Sequence, residues 1–315
     1  MDSLIYSLNA TMPVFFVIVI GYILRCIGML NEGFIEAANK FNFKVTLPIL
    51  LCTDIGKTNI AENFDGRYIL FCAVVTSICF WSIWFFTKKF MKDKNMTGAF
   101  VQASFRGSAS IMGIAFIQNI YGNSGMAPMM MIGAVPLYNI YSVIVLTFEG
   151  RDMEGKNVNI KRTCINIVTN PIIIGIFLGM VVSLLKIHLP MMMDKTLQNF
   201  AAMASPLALV TIGAGFEGRK ALAKIKPTMI ASVIKLVVQA AIFLPVAAYF
   251  GFRDQKLVAL IIMLASPTTV SCYIMAKSMD NDDILTSSII VVTTLLSAFT
   301  LTFWIFLMKI MGLVV

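Results

Sequence analysis

Ten long apolar runs dominate this sequence and restrict it to one class of structure. A helix that crosses a hydrocarbon core of ~30 Å at ~1.5 Å per residue needs about 20 mainly apolar residues. The runs cover 8–29, 34–55, 68–86, 98–121, 126–148, 164–185, 197–216, 229–250, 257–276 and 284–311. With 58% hydrophobic and 13% charged residues, the chain lacks the polar surface of a soluble protein. We therefore expect an all-α integral membrane protein with ten transmembrane helices.

The distribution of basic residues predicts how these helices are oriented. Alternate loops after the first, third, fifth, seventh and ninth runs hold fourteen Lys and Arg residues, and the opposite set holds seven. The richer set is cytoplasmic by the positive-inside rule, so both termini are extracytoplasmic and the helix number is even. The net charge of +9 thus indicates orientation in a cell membrane and gives no reason to expect a nucleic-acid partner.

Cysteine usage and known motifs argue against a metal site, a cofactor or catalysis. The six cysteines lie within or at the ends of apolar runs without a CxxC pair, and the single His188 has no neighbouring ligand cluster. The sequence contains no phosphate-binding GxxxxGKS/T loop, HExxH or GxSxG motif. We therefore expect neither an enzyme nor transport driven by ATP hydrolysis within this chain. Because residues 1–10 lack a basic leader, the first run is also expected to remain as a helix.

The chain reads as two related halves. Shifting the sequence by 158 positions aligns Pro13 with Pro171, Gly21 with Gly179, Pro48 with Pro206, Thr53 with Thr211, Ser108 with Ser266, and Asn123 with Asn281. Each half holds five apolar runs, an odd number, so equivalent helices cross in opposite directions and form an inverted repeat. We predict a first five-helix repeat over 1–148, a charged cytoplasmic linker over 149–162 and a second, inverted repeat over 163–315.

Polar breaks interrupt the fourth and ninth runs at corresponding positions. Proline lacks an N–H and clashes with the preceding turn, so a break at membrane depth leaves backbone groups that need new partners. The hydroxyls could satisfy these groups within a simple kink; alternatively, the two breaks cross near the midplane and their helix ends bind an anion. The candidate substrate-binding residues are Arg106, Gly107, Ser108, Ser110, Ser266, Pro267, Thr268 and Thr269.

Charged residues inside the apolar runs carry the expected chemistry. Arg106 lies near the bilayer centre, where a guanidinium costs at least about 2.5–3.5 kcal/mol and must face a wet cavity or a partner. Asp54 or Glu217 could neutralise it, or freed carbonyls beside the breaks could accept its hydrogen bonds; either carboxylate could instead bind a coupling proton or sodium ion. Lys235 lies about six residues into the eighth run, and we expect its long side chain to reach the interface.

Several short motifs carry a resemblance to a known family. They are Thr46-Leu47-Pro48-Ile49-Leu50-Leu51, Phe105-Arg106-Gly107-Ser108, Met112-Gly113-Ile114, Asn170-Pro171 with Gly179, Ser205-Pro206-Leu207-Ala208-Leu209 with Gly213, and Ala265-Ser266-Pro267-Thr268-Thr269-Val270 with Tyr273. In order and spacing they resemble the auxin efflux carrier family over essentially the whole chain, in particular its bacterial branch of malonate and other organic-acid permeases.

The resemblance implies a ten-helix inverted-repeat carrier in which broken helices four and nine cross beside an anionic substrate. It also implies a homodimer, since family members are often dimeric. Ser108 stands where the family often has Asn, and Ala115 where a proline is common, so the fourth-helix half of the site is altered. The short linker 149–162 lacks the long hydrophilic insert of plant hormone exporters, which argues against hormone transport.

The sequence therefore predicts a secondary active transporter of a small organic anion, a mono- or dicarboxylate, that works by alternating access. One alternative is a sodium-coupled organic-anion symporter of related fold. Another is a membrane sensor or scaffold that binds an anion without moving it. Uptake into vesicles separates both kinds of transporter from the sensor or scaffold, because a sensor binds stoichiometrically and accumulates nothing.

The predicted orientation can be tested by cysteine labelling. Single cysteines introduced in 88–94 and in 149–162 should be protected from an impermeant thiol reagent in intact cells and react after permeabilisation. Labelling of both loops from outside would contradict the predicted topology.

Overall fold

The computed structural model describes residues 2–56, 65–108, 117, 121, 126–150, 165, 168–187 and 189–314 of the chain. Over these residues the protein is helical, and its one extended pairing is an isolated bridge. The first half contains α1 (Asp2–Cys26), α2 (Glu32–Phe41), α3 (Leu47–Gly56), α4 (Gly66–Phe90), α5 (Thr97–Phe105) and α6 (Ala127–Phe148). The second contains α7 (Pro171–Leu184), α8 (Met191–Ala214), α9 (Gly218–Ala223), α10 (Ile225–Val233), α11 (Gln239–Tyr249), α12 (Asp254–Ala265), α13 (Ser271–Ser278) and α14 (Asp283–Ile310).

Five of these helices are long and apolar enough to cross a membrane. They are α4, α6, α8, α14 and the continuous helix Ile225–Tyr249, which joins α10 to α11 through a π-helical turn at Ile234–Val238. Met12–Cys26 of α1 and the whole of α7 are shorter apolar helices. In the other predicted segments, α2 and α3 are joined through the π-helical turn Asn42–Thr46, whereas α5 stops at Phe105 and α12 and α13 are separated by non-helical residues. The predicted all-helical, multi-pass character is thus confirmed.

Two pairs of helices approach each other closely at glycines. Gly21 of α1 faces the backbone of Val210 in α8, and Gly179 of α7 faces the backbone of Cys52 in α3. A Cβ at Gly21 would lie 2.4 Å from the Val210 carbonyl oxygen, and one at Gly179 would lie 2.8 Å from that of Cys52. Small residues at such positions let helix backbones meet in lipid, where apolar burial alone gives little reason to associate.

A salt bridge outside the apolar segments links the starts of α4 and α12. Asp65 accepts from the amide of Tyr68 at the start of α4 and pairs with Lys256 at 2.6 Å. The Tyr68 hydroxyl in turn donates to the Lys256 carbonyl at 2.8 Å. The hydrogen bond from Lys256 lowers the pKa of the Asp65 carboxyl, because it stabilises the charged form. This network fixes the start of α12, the helix that leads to the second predicted break.

The glycine contacts predict which glycines are needed for packing. A Cβ at Gly213 would lie 1.9 Å from the Ile18 carbonyl oxygen, so Gly213→Ala must push α1 and α8 apart. We expect it to destabilise the protein by about 1–3 kcal/mol and to lower the midpoint of thermal unfolding in detergent. Gly218→Ala is the control, since the nearest atom to its Cβ is 3.8 Å away. Equal melting of both variants and wild type would contradict the role given to Gly213.

Candidate functional site

The structure brings the two predicted breaks together inside the bundle. α5 ends at Phe105, and the chain turns extended at Arg106; α12 ends at Ala265, and Ser266 is likewise extended. The Ser108 amide donates to the Pro267 carbonyl at 2.9 Å, and Gly107 pairs with Thr268 in an antiparallel bridge. We call this paired region, residues 106–108 and 266–268, the crossover.

The carbonyls at the ends of the two broken helices have found new donors. The Thr268 hydroxyl donates to the Ala103 carbonyl at 2.7 Å, and the Gln239 amide donates to the Ser104 carbonyl at 2.6 Å. In the second segment of the crossover, 266–268, the Thr268 amide donates to the hydroxyl of Thr293 in α14 at 3.1 Å. Side chains from elsewhere in the fold thus bond backbone groups at each break. The crossover is therefore a packed part of the tertiary structure and not a kink within one helix.

Arg106 lies within the crossover and is 4% exposed. Its guanidinium donates to the Sδ of Met275 in α13 at 3.0 Å and to the Ser142 hydroxyl in α6 at 3.4 Å. In the part of the chain that the structure describes, Arg106 has no carboxylate within ion-pair distance. A guanidinium has five N–H donors, and a sulfur and a hydroxyl are weak partners for a buried charge.

Lys235 was predicted wrongly from the sequence. It does not reach the interface: the side chain is fully buried, and Nζ donates to the carbonyls of Met263 at 3.1 Å and Leu264 at 3.2 Å. A signal for this inward position was available. Thr228, Ser232, Lys235 and Gln239 form a polar stripe on one face of Ile225–Tyr249, and all four are buried.

The other predicted site residues are distributed differently. Ser266 and Pro267 are buried and Ser108 half-buried, while Thr269 is half-buried, with its carbonyl accepting from the Cys272 amide at 3.0 Å. Ser110 lies outside the described residues, as do Met112, Gly113, Ile114 and Ala115.

The two candidate carboxylates are not alike. Asp54 is half-buried in α3. Glu217 is exposed at the start of α9, where it forms an ion pair with Lys220 at 2.7 Å. Glu217 therefore has a cation beside it at the protein surface, whereas Arg106 contacts α6 and α13.

The crossover has the polarity of a ligand site, and of its six residues all but the half-buried Ser108 are buried. The Ser104 and Ser266 hydroxyls are buried and have no hydrogen-bond partner among the described residues. A cavity of about 630 Å³ lies elsewhere, between the end of α4 and the start of α10, and its lining is mainly apolar.

A multi-pass helical protein with two broken helices meeting around buried cations has the arrangement of a membrane transporter. The chain belongs to the membrane transport protein family, whose model matches residues 6–305. It is also 20% identical over 302 residues to an uncharacterized transporter from Methanothermobacter thermautotrophicus, a match that covers 95% of this chain and 97% of that protein. The protein is thus a transporter and not an enzyme, and the resemblance drawn from its motifs is confirmed.

The proline of the crossover should be needed for transport more than for folding. Pro267→Ala supplies an N–H that can bond the Met263 carbonyl and continue α12, which would displace the Lys235 ammonium and close the break. We expect a loss of transport of tenfold or more in proteoliposomes, with near-normal expression. Pro245→Ala in α11, at an exposed position inside a helix, is the matched control and should transport normally. Wild-type kinetics for Pro267→Ala would reduce the proline to a packing kink.

Proposed function

We propose that this transporter is a secondary carrier of a small organic anion, a mono- or dicarboxylate, that binds at the crossover and is moved by alternating access. The observation that carries the proposal is Arg106, a buried guanidinium whose hydrogen-bond partners among the described residues are a hydroxyl and a thioether. An anionic substrate would supply the charge that these partners lack, and a guanidinium binds carboxylates through two parallel hydrogen bonds.

The surroundings of Arg106 support the same substrate class. The buried Ser266 hydroxyl lacks a partner among the described residues, and the second half of the ninth helix, α13, begins just beyond it at Ser271. The start of a helix carries a partial positive charge and favours anions. The binding residues in this proposal are Arg106, Gly107, Ser108, Ser110, Ser266, Pro267, Thr268 and Thr269.

We further propose that the carrier has ten transmembrane helices in two inverted repeats, 1–148 and 163–315, joined by a cytoplasmic linker at 149–162. The glycine contacts support this duplication. Under the 158-residue offset, Gly21 corresponds to Gly179 and Cys52 to Val210, so the contact of Gly21 with Val210 is the counterpart of the contact of Gly179 with Cys52. Two halves related by a pseudo-two-fold axis must produce such exchanged contacts.

The source of the driving force distinguishes two versions of the proposal. Asp54, half-buried within the fold, is the better candidate for a proton or sodium site than Glu217, which is exposed and paired with Lys220. Counterflow of mono- and dicarboxylates in proteoliposomes, with and without sodium and pH gradients, tests both versions. Stoichiometric binding without accumulation would instead favour a sensor.

Replacement of Arg106 tests the proposed substrate class. Arg106→Gln keeps hydrogen-bond donors but removes the charge, so we expect anion affinity to fall at least tenfold, or about 1.4 kcal/mol. Arg106→Lys should restore part of the anion affinity, because it returns the charge without the planar guanidinium that donates two parallel hydrogen bonds. Affinity is measured by calorimetry on purified protein. A stable Arg106→Gln protein with wild-type affinity would exclude Arg106 from the site.

The alternative role of Arg106 as a structural ion gives a different pattern. If Arg106 neutralises Asp54 or Glu217 in another conformation, Arg106→Gln should lower stability, and a neutral substitution at the partner should restore it. The double variants with Asp54→Asn and Glu217→Gln therefore serve as the comparison.

A further inference from the structure

Lys235 stabilises the end of the first half of the broken ninth helix. The carbonyls of Met263 and Leu264, which accept from its ammonium, are among those that the break deprives of helical donors, and the Met263 carbonyl accepts from the Tyr138 hydroxyl as well, at 3.1 Å. Pro267 has no N–H to give Met263, and the Thr268 amide is used by Thr293. A cation at the C-terminal end of a helix is also favoured by the helix dipole.

Gln239, one turn further along the same face, performs the corresponding task for the broken fourth helix. Its amide donates to the Ser104 carbonyl, whose helical donor, the Ser108 amide, bonds Pro267 instead. A neutral amide is thus sufficient to cap one of the two breaks. Capping alone does not explain why the other break uses a fully buried ammonium, which is costly in a membrane.

The same ammonium packs against Gly107. A Cβ at Gly107 would lie 2.9 Å from Lys235 Nζ and 2.5 Å from the Ser266 hydroxyl oxygen. Two of the three N–H groups of a lysine ammonium suffice for the Met263 and Leu264 carbonyls, and the Ser266 hydroxyl has no partner among the described residues. Two polar groups with spare donors therefore converge where Gly107 has no side chain.

We propose that Lys235 and Ser266 form a second anion-binding subsite over Gly107, distinct from the guanidinium of Arg106. The inference rests on the proposed function, because the ligand is a carboxylate oxygen of the carried anion. Within the described residues Lys235 has no ion pair, so the bound carboxylate supplies its counter-charge. Since Lys235 also holds the end of α12, occupancy of this subsite is coupled directly to the broken helix.

The subsite can be tested by binding with acetate, malonate and succinate as probes and malonamide as the neutral comparison. Lys235→Gln keeps an amide that can cap a carbonyl, as Gln239 does, but removes the charge. Gly107→Ala keeps Lys235 but places a methyl group where the Lys235 ammonium and the Ser266 hydroxyl converge; because the atoms nearest to the methyl group belong to the ends of these two side chains and not to the backbone, we expect the variant to fold. Both variants should weaken binding of the carboxylates at least tenfold and leave any malonamide binding unchanged.

Gln239→Leu is the matched control for a purely structural role. It removes a cap from the same face of the same helix and should lower the melting temperature without changing carboxylate affinity. Wild-type carboxylate affinity in folded Lys235→Gln or in Gly107→Ala would overturn the subsite. If Lys235→Gln does not fold, the affinity of Gly107→Ala is the deciding measurement. Loss of binding in Arg106→Gln together with retention in Lys235→Gln would refute only this inference. A wild-type protein that binds none of the three carboxylates would refute the proposed function as well.

Discussion

The backbone groups freed by two helix breaks must find partners inside the membrane, and much of this structure is arranged around that requirement. Water cannot reach a lipid-facing break, and each unpaired group there costs several kcal/mol. Here the partners come from the breaks themselves and from three other helices, through Thr293 of α14, Tyr138 of α6 and the Lys235 and Gln239 side chains of Ile225–Tyr249. The crossover is thereby tied to helices that are distant in the sequence.

The same requirement concentrates positive charge at the crossover. Arg106 and Lys235 are both nearly or fully buried, and among the residues described here neither has a carboxylate beside it. Two buried cations would repel each other and pay for their desolvation, so they favour an anion between or beside them. In the proposed function, an anionic substrate would therefore balance the charge of two buried cations rather than that of Arg106 alone.

The sequence predicted the helices and the positions of the breaks because those features are local. Apolar length defines a membrane helix, and Pro267, Gly107 and the surrounding hydroxyls mark where one is interrupted. The partners of the freed carbonyls could not be predicted in the same way, since they depend on which helices pack against the crossover. The prediction for Lys235 was wrong because it used only the position of the residue along its apolar run. The polar residues on the same helix face, Thr228, Ser232 and Gln239, would have indicated that this face points inward.

One helix caps both breaks, and this limits how the crossover can move. Lys235 and Gln239 lie one turn apart on Ile225–Tyr249, so sliding α5 past α12 would break a capping bond at one of them. The direct bond from Ser108 to Pro267 opposes the same motion. Opening the site by separating the two broken helices would therefore expose several backbone groups at once. If solute reaches the site by alternating access, moving both broken helices together with Ile225–Tyr249 keeps all of these bonds, and the change then falls at the surrounding helix contacts.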